Sequence, residues 1–316
     1  MILSKFSKVK LACLPTPITE LKNLSKTLGL KIIMKRDDLT GLGMGGNKIR
    51  KLEYICADAI NLGKDTLVTS GNTQSNCCRQ TASAAANLGL KCHLLLRGKK
   101  PNLYKGNDLL DLFFGATLHY TEDKNYTPEM LVKQLSEKGN DPYLICAGGS
   151  NKIGSLGFVN AFLEINDQLK ANMNTISTII FPAGSGGTQA GLIVGASAIG
   201  YNGRIIGIDY DKHYSMDVVK KIAEELADYV GVKLSTRLQL ESRFASDKMT
   251  DGDKLALSVV SKKEGIVLDP TYNARAMRGL MEMALNNEFS QNESILFWNT
   301  GGTPTIFEYG DELLIS

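Results

Sequence analysis

One lysine follows a glycine-rich turn at the point where a helix is predicted to begin. The segment GLGMGGNKIR, residues 41–50, comes after the charged turn 36–38 and places Lys48 just inside that helix. A helix N-terminus favours the neutral form of an amine, and burial acts in the same direction. A neutral amine condenses with aldehydes, so Lys48 is a candidate for Schiff-base chemistry. Taken alone, however, a lysine near a helix start is more often a solvated surface residue.

A second glycine turn, SGNTQSNCCR at residues 70–79, also joins a predicted strand to a predicted helix. Gly71 permits a tight turn there, and Gln74, Ser75 and Asn76 bring amide and hydroxyl groups to the helix start. The unpaired backbone N–H groups of a helix N-terminus suit a carboxylate ligand. The turn is therefore a candidate carboxylate site, with capping of the helix by Ser75 or Asn76 as the structural alternative.

The third turn, AGSGGTQAG at residues 183–191, contains several close glycines and two hydroxyl side chains. This combination favours a backbone cradle for a phosphate group at a helix start. No Gly-Lys-Ser/Thr ending follows, so the turn is not a P-loop. Gly184, Gly186 and Gly191 give GxGxxxxG, which differs from the dinucleotide fingerprint. An ordinary tight strand-to-helix turn is the structural alternative.

A fourth turn, NTGGTP at residues 299–304, follows the apolar strand SILFW near the C-terminus. Thr300 in this turn is a candidate hydrogen-bond partner for a ring nitrogen, or else a cap for the next helix. All four turns lie at the ends of predicted strands, so the arrangement of those strands decides whether the turns meet.

Short apolar strands alternate with single helices, which is typical of parallel sheets covered on both faces and predicts an α/β fold. With 316 residues, the chain is long enough for two lobes. The polar segment 236–253 lacks periodicity and is predicted to be a surface excursion near the site, or a solvated loop without function. The predicted strands are 31–35, 66–70, 91–96, 143–146, 178–182, 204–209 and 294–298, and the predicted helices are 47–62, 75–88, 154–167, 187–198, 215–230 and 274–285.

Composition and charge argue against several classes of function. The chain has 36 basic and 33 acidic side chains, and its net charge of +3 gives no basis for nucleic acid or an anionic membrane as partner. No apolar run approaches the roughly 20 residues of a membrane span, and no secretory signal is recognisable. The six cysteines match no zinc ligand set and only three histidines occur, so no metal is predicted. We expect reduced thiols, packed as small hydrophobic residues, in a cytoplasmic protein.

Taken together, these segments resemble one family closely: the pyridoxal-phosphate (PLP) dependent 1-aminocyclopropane-1-carboxylate deaminase and D-cysteine desulfhydrase family. The likeness follows the family order over nearly the whole chain. Its most specific part is the joint occurrence of RDD with GGNK, QSN and GSGGT. The matching segments are LPTPI at 14–18, KRDDLTGLGMGGNKIRKLEY at 35–54, QSN at 74–76, RQTA at 79–82, LLLRG at 94–98, AGSGGTQAGL at 183–192, LDPTY at 268–272 and NTGGTP at 299–304.

The resemblance implies PLP fold type II, the tryptophan-synthase-β-like fold, with two doubly wound parallel-sheet lobes and PLP between them. Residues 1–49 and 156–316 would form the large PLP-binding domain, and residues 50–155 would form the small domain. A homodimer that acts on a small amino acid is also implied.

The same resemblance assigns roles to single residues. Lys48 would form the Schiff base with PLP and move protons, and Asn76 would hydrogen-bond the phenolic oxygen of the cofactor. Ser75, with Gln74, would bind the substrate carboxylate. Tyr272 would lie at the substrate side of the ring. The catalytic set is then Lys48, Ser75 and Tyr272; the cofactor set is Asn47, Lys48, Asn76, Gly184, Ser185, Gly186, Gly187, Thr188 and Thr300; the substrate set is Gln74, Ser75, Asn76, Tyr272 and Asn273.

The choice of reaction depends on two positions. In the deaminase branch of the family a glutamate that faces the pyridine nitrogen follows the tyrosine, whereas this chain has Asn273. The deaminases also have leucine where this chain has Thr300. An amide and a hydroxyl are compatible with an uncharged ring nitrogen, and β-elimination needs less electron withdrawal than ring opening. The predicted activity is therefore D-cysteine desulfhydrase, which converts D-cysteine to pyruvate, sulfide and ammonia.

Two departures from the family pattern keep alternatives open. The desulfhydrase branch has a threonine-like residue where this chain has Asn273, and the family's second active-site tyrosine has no match in ESRFASDKMTDGD at 241–253. The alternatives are a ring-opening deaminase, a lyase releasing sulfite from cysteate, a non-catalytic PLP reservoir or amino-acid sensor, and a nucleotide-binding protein. Cys77 and Cys78 adjoin the predicted site, either as packing residues or as a redox-sensitive thiol.

Overall fold

The computed structural model describes residues 2–171, 175–211, 215–291 and 293–314. The strands are β1 (Ile18–Glu20), β2 (Lys31–Arg36), β3 (Thr66–Asn72), β4 (Lys91–Arg97), β5 (Thr117–Thr121), β6 (Pro142–Leu144), β7 (Thr178–Ala183), β8 (Arg204–Asp209), β9 (Gln239–Glu241) and β10 (Ser294–Asn299). The α-helices are α1 (Lys22–Leu28), α2 (Lys48–Asn61), α3 (Asn76–Leu88), α4 (Gly106–Phe113), α5 (Pro128–Glu137), α6 (Lys152–Ala171), α7 (Gly187–Ala198), α8 (Met216–Val230), α9 (Asp251–Glu264), α10 (Asn273–Leu285) and α11 (Gly310–Leu314).

The strands form two separate sheets. The larger sheet has the order β1-β2-β10-β7-β8-β9, with β1 antiparallel to β2 and every other neighbour parallel. The smaller sheet has the order β5-β4-β3-β6 and is parallel throughout. The predicted α/β fold with two parallel sheets is confirmed. The smaller sheet lies within residues 66–144, and the predicted domain boundaries near residues 50 and 155 stay a prediction.

Helices cover both faces of the larger sheet, so its central strands are apolar on both sides. In β10, Ile295 and Phe297 pack in the core beside α9 and α10, whereas Leu296 and Trp298 pack in the core beside α6 and α7. All six residues of β7 are buried. This is why these strands read as continuous apolar runs rather than as an alternating pattern.

All seven predicted strands and all six predicted helices occur, with ends that differ by a few residues. The structure adds three short strands (β1, β5 and β9) and five helices (α1, α4, α5, α9 and α11). None of the described helices combines the length and apolar character needed to cross a membrane.

Most of the predicted surface excursion 236–253 is exposed or partly exposed, but the segment also contains regular structure that the prediction missed. Its residues 239–241 form β9, which extends the larger sheet beside β8. Phe244 is buried in the core, and Thr250 with Asp253 forms the capping box of α9. Three paired residues and one buried aromatic side chain are too few to produce a visible periodicity.

Candidate active site

A cavity of about 240 Å³ lies where parallel strands from both sheets end. The carboxyl ends of β3, β7, β8 and β10 and the start of α2 contribute to its wall. All four glycine turns singled out in the sequence therefore meet at one place, as expected for an open parallel sheet. Ten of the predicted site residues line the cavity: Asn47, Lys48, Ser75, Asn76, Gly184, Ser185, Gly186, Thr188, Tyr272 and Thr300.

Lys48 is the first residue of α2 and its amine lies inside the cavity wall. The Nζ atom is 3.3 Å from Oδ1 of Asn47. Burial lowers the pKa of the Lys48 amine, and this effect outweighs the opposing influence of Cys77 and Asp269. A larger fraction of the amine is therefore neutral near pH 7, which is the nucleophilic form.

A buried ion network holds the first turn of α2. The Arg50 guanidinium lies 2.8 Å from Oδ1 of Asp37 and 2.9 Å from Oε1 of Glu164. Trp298 of β10 donates to the other oxygen of Asp37 at 2.8 Å. The first aspartate of the RDD segment thus anchors the helix that carries Lys48, and its role is structural.

Helix α3, which packs against the smaller sheet, hydrogen-bonds the turn that precedes Lys48. Arg79 donates to the carbonyl oxygen of Gly45 at 3.1 Å and also to that of Gly43. Gln80 accepts from the N–H of Ile49 at 3.0 Å. These contacts account for the RQ pair of the RQTA segment, because both side chains fix the backbone on either side of Lys48.

Several donors converge beside the glycine turn after β7. The Oγ atom of Ser150 accepts from the N–H of Gly187 and from Nζ of Lys51, both at 3.1 Å, and lies 2.7 Å from Oγ of Ser185. Gly186 has a φ of +87°, a conformation that favours glycine. An oxygen atom that meets two N–H donors and a hydroxyl group has the kind of environment that an oxygen of a phosphate group requires.

Asn47 joins two of the predicted cofactor segments. Its backbone N–H donates to the carbonyl oxygen of Thr300 at 2.9 Å, and its side-chain Nδ2 donates to Oγ1 of Thr188 at 3.2 Å. The residue before Lys48 therefore connects the turn after β7 to the turn after β10.

Asn273 is buried and does not line the cavity, in contrast to its prediction as a substrate-binding residue. Its Nδ2 donates to the carbonyl oxygen of Gly301 at 2.8 Å and to Oδ1 of Asp269 at 2.5 Å. Its Oδ1 accepts from the N–H of Thr300 at 3.0 Å and from the Thr300 hydroxyl at 3.3 Å. Asn273 acts on the position of Thr300 rather than facing a substrate.

Gln74 is a second predicted substrate residue that does not line the cavity. Its side chain accepts from the N–H of Asn107, and Asn107 in turn donates to Oδ1 of Asn76 at 2.8 Å. The Asn76 amide is thereby oriented with its oxygen engaged. Ser75 caps α3 by accepting from the N–H of Cys78 at 3.2 Å, so the capping interpretation is confirmed, and Ser75 also lines the cavity.

Gly187, the third predicted residue outside the cavity lining, opens α7 and turns its N–H toward Ser150. A Cβ atom at this position would lie 2.8 Å from Cα of Ser150 and 2.9 Å from Nζ of Lys51. The absence of a side chain is what lets the two turns approach. Gly187 therefore contributes to the donor cluster from behind the cavity surface.

Three residues of the site escaped the sequence analysis. Lys51 lies one helical turn after Lys48, so both amines share one face of α2, a spacing that is visible in the sequence. Burial and the charge of Lys48 lower its pKa well below the usual value. Ser150 belongs to a fifth glycine turn, AGGSN at 147–151, and Tyr210 directly follows β8. Of the adjacent cysteines, Cys77 lines the cavity and Cys78 packs in the smaller-sheet core.

Comparison with known proteins gives the family. A family model described as "Pyridoxal-phosphate dependent enzyme" matches residues 9–301. The chain belongs to this family of PLP-dependent enzymes. It is 40% identical to a Pyrococcus furiosus protein named "Putative 1-aminocyclopropane-1-carboxylate deaminase", over 99% of this chain and 97% of that protein. It is 37% identical to a "D-cysteine desulfhydrase" of Klebsiella pneumoniae, over 98% of both.

A solved structure agrees with this assignment. The crystal structure of an "ACC deaminase homologue" is 39% identical, covers 99% of this chain and 97% of its own, and has a TM-score of 0.92. The chain thus has the fold-type-II architecture and the enzyme class that its motifs predicted, and it is similar to proteins of both reaction branches.

The residues present fit PLP. The donors that converge at Ser150, behind the turn 184–188, match the phosphate, and Lys48, whose neutral amine is favoured by burial, lines the same cavity as that turn. Asn76 has its side-chain oxygen engaged with Asn107, which leaves its Nδ2 as a donor for a phenolic oxygen. Thr300 also lines the cavity, and its hydroxyl, which here donates to Oδ1 of Asn273, would turn to the ring nitrogen.

Proposed function

We propose that this PLP-dependent lyase eliminates sulfide from D-cysteine and yields pyruvate and ammonia. The observation that carries this proposal is the partner of Thr300, which is the amide oxygen of Asn273. The nearby carboxylate of Asp269 accepts from the side chain of Asn273 and from the N–H groups of Thr271 and Tyr272. The neutral amide beside Thr300 supplies no negative charge to stabilise a protonated ring nitrogen, and the Thr300 hydroxyl would turn its proton from Asn273 to the uncharged nitrogen when PLP binds. Elimination of a good leaving group tolerates the weaker electron withdrawal that results.

Three groups of residues would bind PLP in this proposal. The turn 184–188 with Lys51 and Ser150 would hold the phosphate, Asn76 the phenolic oxygen, and Thr300 the ring nitrogen. When bound, the cofactor withdraws electrons from Cα of the amino acid and so makes its proton acidic. All other steps fall to side chains of this chain.

The substrate carboxylate is assigned to the start of α3. Ser75 accepts from a backbone N–H, so its own proton can be donated to a carboxylate oxygen. The first N–H groups of a helix lack partners inside that helix and add to the same site. Ser75 is a substrate-binding residue in this proposal.

Two side chains are assigned the proton transfers, one as acceptor and one as donor. Lys48, whose neutral amine is favoured by burial, would accept the proton from Cα. Burial raises the pKa of Tyr272, so its hydroxyl keeps its proton at neutral pH and can give it to the departing sulfur.

The attachment point of PLP is the first test. The purified protein with PLP should be yellow, and borohydride reduction followed by peptide mass analysis should find the pyridoxyl group on Lys48. Lys51 is the internal control, because it lies three residues later and its amine is already held by Gly148 and Ser150. A pyridoxyl group on Lys51, or on neither lysine, contradicts the proposal.

The substrate is the second test. Sulfide and pyruvate should form from D-cysteine, and 2-oxobutyrate should not form from 1-aminocyclopropane-1-carboxylate. The ring-opening reaction is the main alternative, because relatives at 37–40% identity carry a deaminase name. Turnover of the cyclopropane or of cysteate without sulfide release from D-cysteine would replace the proposed reaction by that alternative.

We also propose that the protein is a cytoplasmic homodimer, as the likeness to the family suggests. Light scattering of the purified chain should give about twice the 34.4 kDa of one chain. A mass of one chain at micromolar concentration contradicts this part.

A further inference from the structure

A second tyrosine lies against Tyr272 at the edge of the cavity. Tyr210 directly follows β8, the strand beside β7, so it leaves the larger sheet next to the phosphate turn. The centroids of its ring and the ring of Tyr272 are 4.8 Å apart, with the ring planes tilted by 49°. A Cβ atom on Gly184 would lie 3.5 Å from the Tyr210 ring and 3.9 Å from Tyr272. Both rings thus lie over the same glycine.

The backbone of Tyr210 is fastened to the helix that follows Tyr272. Its carbonyl oxygen accepts from Arg275, three residues after Tyr272, and from the N–H of Ser246 at 3.2 Å. Arg275 is buried and pairs with Asp253 at 3.0 Å. The backbone that carries Tyr210 is therefore fixed to the helix that follows Tyr272.

Their hydroxyl groups influence each other in a definite direction. Burial raises the pKa of Tyr272, and the charges of Asp269, Asp211 and Cys77 act in the same direction. A hydrogen-bonding interaction with Tyr210 lowers the pKa of Tyr272. The pKa of Tyr210 is raised as well, mainly by burial and by the charge of Tyr272, and hydrogen bonding to Asp211 and to Tyr272 adds to the shift. The Tyr210 hydroxyl thus keeps its proton beside two oxygen acceptors, the Asp211 carboxylate and the Tyr272 oxygen.

We propose that Tyr210 is a positioning residue whose hydroxyl donates to the Tyr272 oxygen and stabilises it when Tyr272 gives its proton to the leaving group. The proposal rests on the proposed function. The Cβ–S bond breaks with its electron pair going to sulfur, and the Tyr272 proton joins that sulfur. The Tyr272 oxygen carries the negative charge until it receives the proton that Lys48 took from Cα. Tyr210 would thus supply the second phenol that residues 241–253 lack.

The leaving group provides the decisive comparison. D-Cysteine loses hydrosulfide, whose departure a proton donor assists, whereas β-chloro-D-alanine loses chloride, which needs no proton. Tyr210→Phe keeps the ring and should lower kcat for D-cysteine roughly 10- to 100-fold, the range for one hydrogen bond to a charged group. It should change chloride elimination less than threefold. Tyr143→Phe is the matched control, because that hydroxyl bonds Asp58 at 2.7 Å outside the cavity. Equal losses with both substrates would mean a structural role and overturn the inference.

A measurement that does not need turnover separates this inference from the proposed substrate. In the holoenzyme labelled with 13Cζ-tyrosine, Tyr272→Phe identifies the Tyr272 signal, and Tyr210→Phe should shift it because an accepted hydrogen bond is lost. An unmoved signal overturns the inference whatever the activity. A shifted signal in a protein that releases no sulfide from D-cysteine supports the tyrosine pair and rejects the proposed substrate instead.

Discussion

Replacing Gly187 by alanine tests the phosphate turn more sharply than removing a side chain would. The added Cβ atom would lie 2.8 Å from Cα of Ser150 and 2.9 Å from Nζ of Lys51. Gly184, in the same turn, is the matched control, because its Cβ atom would meet its nearest neighbour at 3.5 Å. Neither glycine has a positive φ, so both substitutions keep an allowed backbone.

The size of the effect follows from the overlap. Carbon atoms in favourable contact are about 3.5–4.0 Å apart, so the Gly187→Ala contact is about 0.7 Å too short. Crowding of this kind costs about 1–3 kcal/mol. The strain is relieved when Ser150 moves away from α7. This movement separates the N–H of Gly187 from the amine of Lys51, so the two donors no longer converge. Expressed as lost affinity at about 1.4 kcal/mol per tenfold, Kd for PLP should rise roughly 5- to 150-fold.

The assay is a titration of the apoprotein with PLP, followed by the visible absorbance of the bound cofactor. Gly184→Ala should bind within about threefold of the wild type, and both variants should keep the far-UV circular dichroism of the apoprotein. If Gly187→Ala binds PLP as tightly as Gly184→Ala, the phosphate does not bind where the donors of Ser150, Lys51 and Gly187 converge, and the assignment of the cradle is wrong.

Three further substitutions test separate parts of the structure. Burial raises the pKa of Asp111 to about 8, so the folded protein retains a proton that the unfolded chain releases near pH 4, and stability falls as pH rises between these values. Relative to the wild type, the free energy of unfolding of Asp111→Asn in urea should therefore increase by on the order of 4 kcal/mol between pH 5 and pH 8. A difference between the two proteins that does not change with pH contradicts this. Arg50→Met removes the cation that pairs with the buried carboxylate of Asp37, while Glu164 keeps its pair with Lys35, and should cost about 3–5 kcal/mol. Arg243→Met at the exposed ion pairs should cost less than about 1 kcal/mol, and equal losses would refute the distinction. Asn273→Leu frees Thr300 and should lower kcat for D-cysteine at least about tenfold with little change in KM, whereas an unchanged kcat would show that the amide has no such role.

The fold could be predicted from the sequence because its central strands are unusually uniform. Segments such as TIIFPA of β7 are buried on every side, and this leaves a continuous apolar run that single helices interrupt. The meeting of the glycine turns then follows from topology alone, since parallel strands place their carboxyl ends at one edge. Elements of three residues, such as β9, carry too little pattern to be recognised.

The fine structure of the site depends on contacts between distant segments, and these leave little local trace. Asn273 reaches Thr300 across 27 residues, and nothing adjacent to either residue indicates which way the amide turns. Ser150 joins the donor cluster only because α7 starts against the turn that follows the smaller sheet. Tyr210 was missed because a tyrosine at the end of a strand has no distinctive spacing. In contrast, Lys51 had a readable signal in its helical spacing from Lys48.

The hydrogen bonds from α3 to the turn before Lys48 connect the start of α3 to the start of α2. Ser75 and Asn76 form the start of α3, and Arg79 and Gln80 follow within its first turns. The two side chains that hold Gly45 and Ile49 therefore belong to the same helix turns as the proposed carboxylate site. In the proposed function, one helix thus ties the site that binds the substrate carboxylate to the backbone on both sides of the lysine.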